Sequence, residues 1–293
     1  MAEHRMTLKY RTPNVQLLEW AQRIVDKMGD RPPKDKVEVY AREQIILHER
    51  QSTEVVVQGV SIGDKIAIAT TPNETYAITG LKVKGASPFS DTMVIELANG
   101  GDGYIPPPEQ HLVGGYNTWA ARSAGLEVKA EPVITETCIQ LLEKLSGKTR
   151  KSTAQPDGPK ANAILTQKPL AYWRLDELSG PRAFDRSGNH NDAFYEPQVL
   201  FYLPGPKSET FCGKGIVNRS AHFAGHRLRS SFPELRTDYT VTLWFWNGMP
   251  TDVREVTGWI FSRDREHLVS EYGEQVGIGG THGISEGKLI YLK

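Results

Sequence analysis

The feature that most constrains this chain is a change of pattern near residue 168, where helical periodicity stops. Before it, apolar residues recur at the three- and four-residue spacing of amphipathic helices, interrupted by strand-like runs. After it, the apolar runs are short, β-type and separated by turn residues. Between the two regimes, residues 148–168 are small, polar and contain Pro156, Gly158 and Pro159, which is linker composition. The pattern predicts an α/β or α+β domain over residues 1–147, a linker over 148–168, and an all-β domain over 169–293.

In the first part, residues 14–29 place Leu17, Leu18, Ala21, Ile24, Val25 and Met28 on one face, with Gly29 set to end the helix. Residues 36–50 give a second helix with Val37, Tyr40, Ala41, Ile45 and Leu47 or His48 inward. Residues 53–60 and 65–70 read as strands joined at Gly63-Asp64, a hairpin signal. A third helix is expected over 75–84, a buried strand over 92–97, and a Gly- and Pro-rich loop over 99–115. The last helix, over 131–146, shares Ile134, Cys138, Leu141, Leu142 and Leu145 on a face. In the second part, residues 171–175, 220–224, 239–246, 259–262 and 288–292 are β-type, the pattern of an antiparallel sandwich.

Lys plus Arg and Asp plus Glu balance at 35 each, so no net field draws the chain to nucleic acid or an anionic membrane. No apolar run reaches the length of a membrane span. The first residues lack the apolar core of a signal peptide, so the literal reading is a chain that is not exported. Cys138 and Cys212 fall in different predicted domains and read as two isolated thiols.

Two stretches carry chemistry. The first is Ala69-Thr-Thr-Pro-Asn-Glu-Thr-Tyr-Ala-Ile-Thr-Gly80. The second runs Glu96-Leu-Ala-Asn-Gly-Gly-Asp-Gly-Tyr-Ile-Pro-Pro-Pro-Glu-Gln-His-Leu-Val-Gly-Gly-Tyr116. Taken alone, Glu74 fits a first-turn carboxylate favoured by a helix dipole, or an exposed side chain. Tyr104 and Tyr116 alone fit ordinary loop tyrosines with wet hydroxyls. Together, an acidic residue at the mouth of a strand followed by two placed tyrosines can make a metal ligand set.

Over residues 5–146 this combination resembles the neutral/alkaline, non-lysosomal ceramidase family of zinc-dependent amidases. Pro72-Asn73-Glu74 matches that family's Pro-Gly-Glu-type turn, with Asn in place of Gly. Asn99 precedes Tyr104 by five residues, and Tyr116 follows Tyr104 by twelve, as in the family. The resemblance implies that Glu74 and Tyr104 are two of four zinc ligands and that Tyr116 hydrogen-bonds the oxyanion of an amide or sphingolipid-like substrate. It also implies two His ligands and a serine from a more N-terminal portion. His4 and His48 are the histidines before Glu74, and neither lies in such a motif; His48 reads as a packed or capping residue. Since a catalytic zinc needs three protein ligands and an open position, the expectation is a partial hydrolase domain. It would be inactive alone, as a truncated gene product, a split-gene fragment, or a partner for a separate N-terminal half. Relatives of this kind are typically extracytoplasmic.

Residues 170–195, with Ser220-Ala-His-Phe-Ala-Gly225 and Tyr239-Thr-Val-Thr-Leu-Trp-Phe-Trp246, resemble a laminin-G-like, concanavalin A-like lectin/glucanase domain, a jelly-roll sandwich. The resemblance stops before such a sandwich closes, which implies a C-terminally incomplete module. Alternation places Val241, Leu243 and Phe245 on one face and Thr242, Trp244 and Trp246 on the other. Asp185, Asn189, Asn191 and Asp192 crowd oxygen donors into one loop. They read as a calcium site or as turn-forming residues bonding their own backbone. Trp246 and Trp259 read as core residues or as sugar-stacking platforms. The alternative function is therefore a non-catalytic protein that binds carbohydrate or protein through the second domain.

Overall fold

The computed structural model describes residues 1–101, 103–231, 239–246 and 289–292. Residues 1–231 form one compact unit, and the described residues beyond 231 belong to a second.

The first unit opens with strand β1 (Ala2–Lys9), helix α1 (Val15–Met28) and helix α2 (Lys36–Arg50), followed by β2 (Ser52–Ile62) and β3 (Ile66–Thr70). Both helices begin with side-chain caps: Asn14 accepts from the Leu17 N–H and Asp35 from the Glu38 N–H. Then come β4 (Glu74–Thr75), α3 (Ala77–Ala86), β5 (Asp91–Ile95), β6 (Tyr104–Ile105), α4 (Pro108–Val113) and α5 (Ala130–Ser146). α5 ends at Gly147, whose left-handed backbone suits a residue without a Cβ.

The main sheet has the order β1-β2-β3-β5. The β1–β2 and β2–β3 pairs are antiparallel and β3–β5 is parallel, with α3 as the crossover. The hairpin turns at Gly63 as the sequence predicts. α3 and α5 cover one face of this sheet, and Val55, Val57, Ala67 and Ala69 meet Ile134, Cys138, Leu141 and Leu142 in the core. Gly59 lets α5 pack closely there: a Cβ would stand 3.0 Å from Leu145 Cδ1 and 3.4 Å from Leu141 Cβ. A buried ion pair ties α3 to α5. Glu131 takes hydrogen bonds from Thr79, Lys82 and Thr135.

Several expectations change. β1 is an added edge strand whose Met6 and Leu8 turn inward among charged neighbours. Residues 92–97, read as a buried strand, are half open: Met93 is 50% and Ile95 48% exposed, since among the described residues only one side of β5 is covered. α3 starts at Ala77 because Glu74 and Thr75 are held in a strand pair with β6. Glu74 therefore lies outside the helix's first turn.

Residues 148–168, linker-like by composition, contain α6 (Pro159–Thr166), started by Pro at its first position. Just before it, Gln155 is buried and Asp157 pairs with Arg174 and Arg186, contacts that composition cannot reveal. Further on lie β7 (Arg182–Ala183), β8 (Ala193–Tyr195), β9 (Val199–Pro204), the short helix α7 (Glu209–Cys212), β10 (Arg219–Phe223) and β11 (Leu228–Arg229). They make two small antiparallel sheets, β11-β8-β7 and β10-β9, around Ala183, Ala193, Tyr195 and Val199. The strand expected at 171–175 is reduced to one bridge, Trp173 with Asp185, because Leu175 has φ of 57° and leaves the extended region.

In the second unit, β12 (Leu243–Trp246) pairs antiparallel with β13 (Leu289–Leu292). Leu243 and Phe245 are half-buried, as is Trp244, while Thr242 and Trp246 are exposed. The run at 259–262, Trp259 included, lies outside the described residues.

Candidate functional site

The site is built where β3 and β5 end. Thr71 donates its N–H to Ile95 O and accepts from the Ala98 N–H, so the two chain segments leave the sheet laced together. Asn73 then turns the chain with φ of 57°, a left-handed conformation that Asn tolerates better than most non-glycine residues. Asn73 O accepts from Leu97 N, Asn73 N donates to Gly100 O, and Glu74 N donates to Gly103 O.

Those bonds set β4 and β6 side by side and put Glu74 directly opposite Tyr104. Gly103 is fixed by space as well as by its φ of 90°, since a Cβ there would lie 2.1 Å from Ser123 O. Tyr104 N donates to the same carbonyl at 2.8 Å. The three residues singled out in the two motifs thus come together. The Tyr104 and Tyr116 hydroxyls are 3.1 Å apart, with rings edge-to-face at 5.5 Å. The Tyr104 phenol is pushed up to about 12, first by its hydrogen bond with Tyr116 and then by the negative charge of Glu74 beside it. Tyr116 is 63% exposed, so its hydroxyl stands at the solvent edge.

Sequence reasoning missed four supporting residues. Tyr76, two positions past Glu74, buries its phenol beside Tyr116 and Asn117; its oxygen has no partner in hydrogen-bonding geometry, and burial raises its pKa. Asn117 lies in the short turn that carries Tyr116. Arg11, from the segment after β1, donates to Thr118 O at 2.9 Å and also to Ala124 O, gripping the loop behind Tyr116. His111 on α4 is 3.5 Å from Arg11 and is pushed down to about 4 by burial and then by that cation, so it is neutral at pH 7. Only the closeness of Tyr76 to Glu74 offered a sequence signal; Arg11 is more than 90 residues from the loop it holds.

The donor set is one carboxylate and one phenol, with a second phenol adjacent. Carboxylate oxygen is among the donors that zinc accepts, so the pair could fill part of a metal site. Among the described residues no group of three or more His, Cys, Asp and Glu side chains gathers that could complete it. His4 is exposed on β1, and His48 is exposed in the last turn of α2, where a cation suits the helix dipole; neither is near β4 by pairing.

The oxygen-rich loop of the second part is internally engaged. Asp185 accepts from the N–H groups of Tyr172, Ser187 and Asn191 and from the Ser187 hydroxyl. Asp192 accepts from the Asp185 N–H and from Arg182, while Asn189 donates to Pro169 O and Leu170 O. These are the turn-forming bonds of Asx residues, and they engage both carboxylates of the loop.

Compared with models of protein families, with curated proteins and with solved structures, the chain matches none.

Proposed function

We propose that Glu74 and Tyr104 are two ligands of the zinc of an amide hydrolase, with Tyr116 as the group that meets the substrate oxyanion. The observation that carries this is the in-register pairing of Glu74 with Tyr104, which makes a carboxylate and a phenol share one small space. Without a cation the two repel as anions, and the phenol holds its proton to about pH 12. A dication held by Glu74 and Tyr104 would reverse that preference and favour the phenolate. Bound zinc supplies Lewis-acid polarisation and an acidified water.

The chain's own residues have separate tasks. Glu74 and Tyr104 present oxygens from a rigid strand pair. Tyr116 offers its exposed hydroxyl as a donor toward charge developing on a carbonyl oxygen, the geometry of an oxyanion hole. Arg11 and Asn117 set the loop on which Tyr116 rides. On this reading the histidine ligands and the serine are supplied from outside residues 1–293, and the substrate is an amide.

The test is hydrolysis of an N-acyl amide by this chain with zinc, alone and together with a polypeptide carrying the histidine ligands and serine. The expected result is no turnover alone, and turnover in the mixture that Glu74→Gln or Tyr104→Phe reduces at least a hundredfold. Turnover by the chain alone, or a complemented activity indifferent to Glu74, overturns the assignment.

A second reading rests on Trp246, 60% exposed on β12, in a stretch that resembles a laminin-G-like jelly roll. An exposed indole on a strand is a sugar-stacking surface, and on this reading residues 169–293 bind glycan without catalysis. A glycan array run with calcium and with chelator tests it; no binding under either condition removes it.

A further inference from the structure

A buried phenol stands beside the site with its proton unmet. Tyr76 lies two residues past Glu74 and occupies the position before α3 in extended backbone, φ −75° and ψ 154°, without a side-chain bond to the helix. Its carbonyl accepts from Thr79 N, so the backbone serves the helix start and the phenol does not. The phenol oxygen is shut off from solvent and has no partner in hydrogen-bonding geometry among the described residues. A buried hydroxyl left in that state destabilises a fold, and folded proteins keep few such groups.

Its neighbours are in the turn that carries Tyr116. The Asn117 side-chain amide lies toward the Tyr76 oxygen, and the Tyr116 hydroxyl is close enough to act on it through charge. A Cβ on Gly115 would stand 3.1 Å from Asn117 Oδ1, so the carbonyl end of that amide lies against Gly115 and its N–H end serves Tyr76. An amide N–H can donate to a phenol oxygen but cannot take the phenol's proton. Burial raises the Tyr76 pKa, so that proton stays in place at neutral pH. The turn is fixed at its base, where the Thr118 hydroxyl donates to Gly115 O at 2.7 Å and Arg11 donates to Thr118 O. Its tip is held by the bond of 3.1 Å between the Tyr116 and Tyr104 hydroxyls.

We infer that Tyr76 is a positioning residue for Tyr116, its O–H donating to the Tyr116 oxygen once the Tyr116 hydroxyl leaves Tyr104 for a substrate oxygen. The inference rests on the assignment of Tyr116 to the substrate oxyanion. As long as Tyr116 bonds Tyr104, the Tyr76 proton has no acceptor. When Tyr116 turns its own proton outward, its lone pairs open to the unmet donor beside it. A bond unmade in one arrangement and made in the other shifts the population toward the second. A phenol that accepts one hydrogen bond also donates a stronger one, because bonds in a chain polarise each other. Tyr76 thus holds Tyr116 in the turned position and strengthens its donation without touching substrate.

Thermal melts of the full chain carrying Tyr76→Phe, with and without Tyr104→Phe, test this in the absence of turnover. With Tyr104 present, Tyr76→Phe should leave the melting midpoint equal to or above that of the parent, because the hydroxyl removed has no partner. In the Tyr104→Phe background Tyr116 is released to accept. Adding Tyr76→Phe there should lower the midpoint by roughly 2–4 °C, the shift of one net hydrogen bond in a unit of this size. A midpoint lowered in the first background, or unmoved in the second, overturns the inference. In complemented hydrolysis of an N-acyl amide, Tyr76→Phe should cut kcat at least tenfold with KM unchanged, and cost nothing further once Tyr116→Phe is in place. Turnover that requires Glu74 but ignores Tyr76 sinks this inference alone, whereas turnover indifferent to Glu74 sinks the zinc reading beneath it.

Discussion

Replacing Lys82 by methionine removes the cation that faces a fully buried carboxylate. Glu131 has no exposed side-chain surface, and both its oxygens lie 3.1 Å from Lys82 Nζ. The Thr79 and Thr135 hydroxyls add hydrogen bonds at 2.8 and 3.0 Å. In Lys82→Met the carboxylate keeps two neutral donors and loses its counter-charge in a low-dielectric setting. Breaking a buried pair from one side costs about 3–5 kcal/mol. For a unit of this size each kcal/mol moves the melting midpoint by about 2–4 °C, so the fall should be roughly 6–20 °C. Glu131→Gln leaves Lys82, 14% exposed, able to turn to water, and should cost only about 1–2 kcal/mol. The double variant should recover much of the Lys82→Met loss, because no bare charge stays buried. Thermal and urea melts by circular dichroism on the four proteins give the cycle. A Lys82→Met cost below about 1 kcal/mol, or strictly additive losses, would refute the reading that this pair clamps α3 to α5.

Other perturbations address the site and the second part. Gly103→Ala must place a Cβ on Ser123 O at a φ of 90°; it should cost about 2 kcal/mol or more in urea melts and separate Tyr104 from Glu74. Glu74→Gln should lower the ionisation midpoint of Tyr104 from about 12 while leaving it above the ordinary value of about 10, since Tyr116 still donates or accepts beside it. NMR of isotope-labelled tyrosine measures this. Burial raises the Asp185 carboxyl, but its hydrogen bonds from Tyr172, Ser187 and Asn191 outweigh burial and hold it below the usual range. Its stabilisation is present above the unfolded value of about 3.9 and is lost as pH falls through the lower folded value. Asp185→Ala should therefore lower the melting midpoint at pH 7, with a deficit that shrinks as pH falls below about 3.9.

The elements read most clearly from sequence are those whose signal is local. α1, α2 and α5 announce themselves by periodicity and by Asn14, Asp35 and Gly147 at their ends, and the β2–β3 hairpin by Gly63-Asp64. β1 escaped notice because an edge strand tolerates charge, and Glu3, His4 and Arg5 mask the inward Met6 and Leu8. β4 and β6 are two residues each and exist only because Gly103 lets Tyr104 approach Ser123 O; no pattern within either stretch predicts a strand. Glu74, Tyr104 and Tyr116 were visible as the acidic and phenolic residues of the two motifs. Arg11 and His111 were not, because their roles come from contacts made only after folding. The order in residues 148–168 escaped for the same reason, as Asp157 finds Arg174 and Arg186 from a stretch that is polar by composition.

The most direct measurement is a zinc titration of the full chain at neutral pH, followed by calorimetry and by tyrosinate ultraviolet absorbance. The account predicts weak binding, since this chain supplies two ligands, accompanied by ionisation of one tyrosine. Both signals should be lost in Glu74→Gln and in Tyr104→Phe and kept in Tyr116→Phe. Tight stoichiometric binding, or zinc binding that Glu74→Gln and Tyr104→Phe leave unchanged, would contradict it.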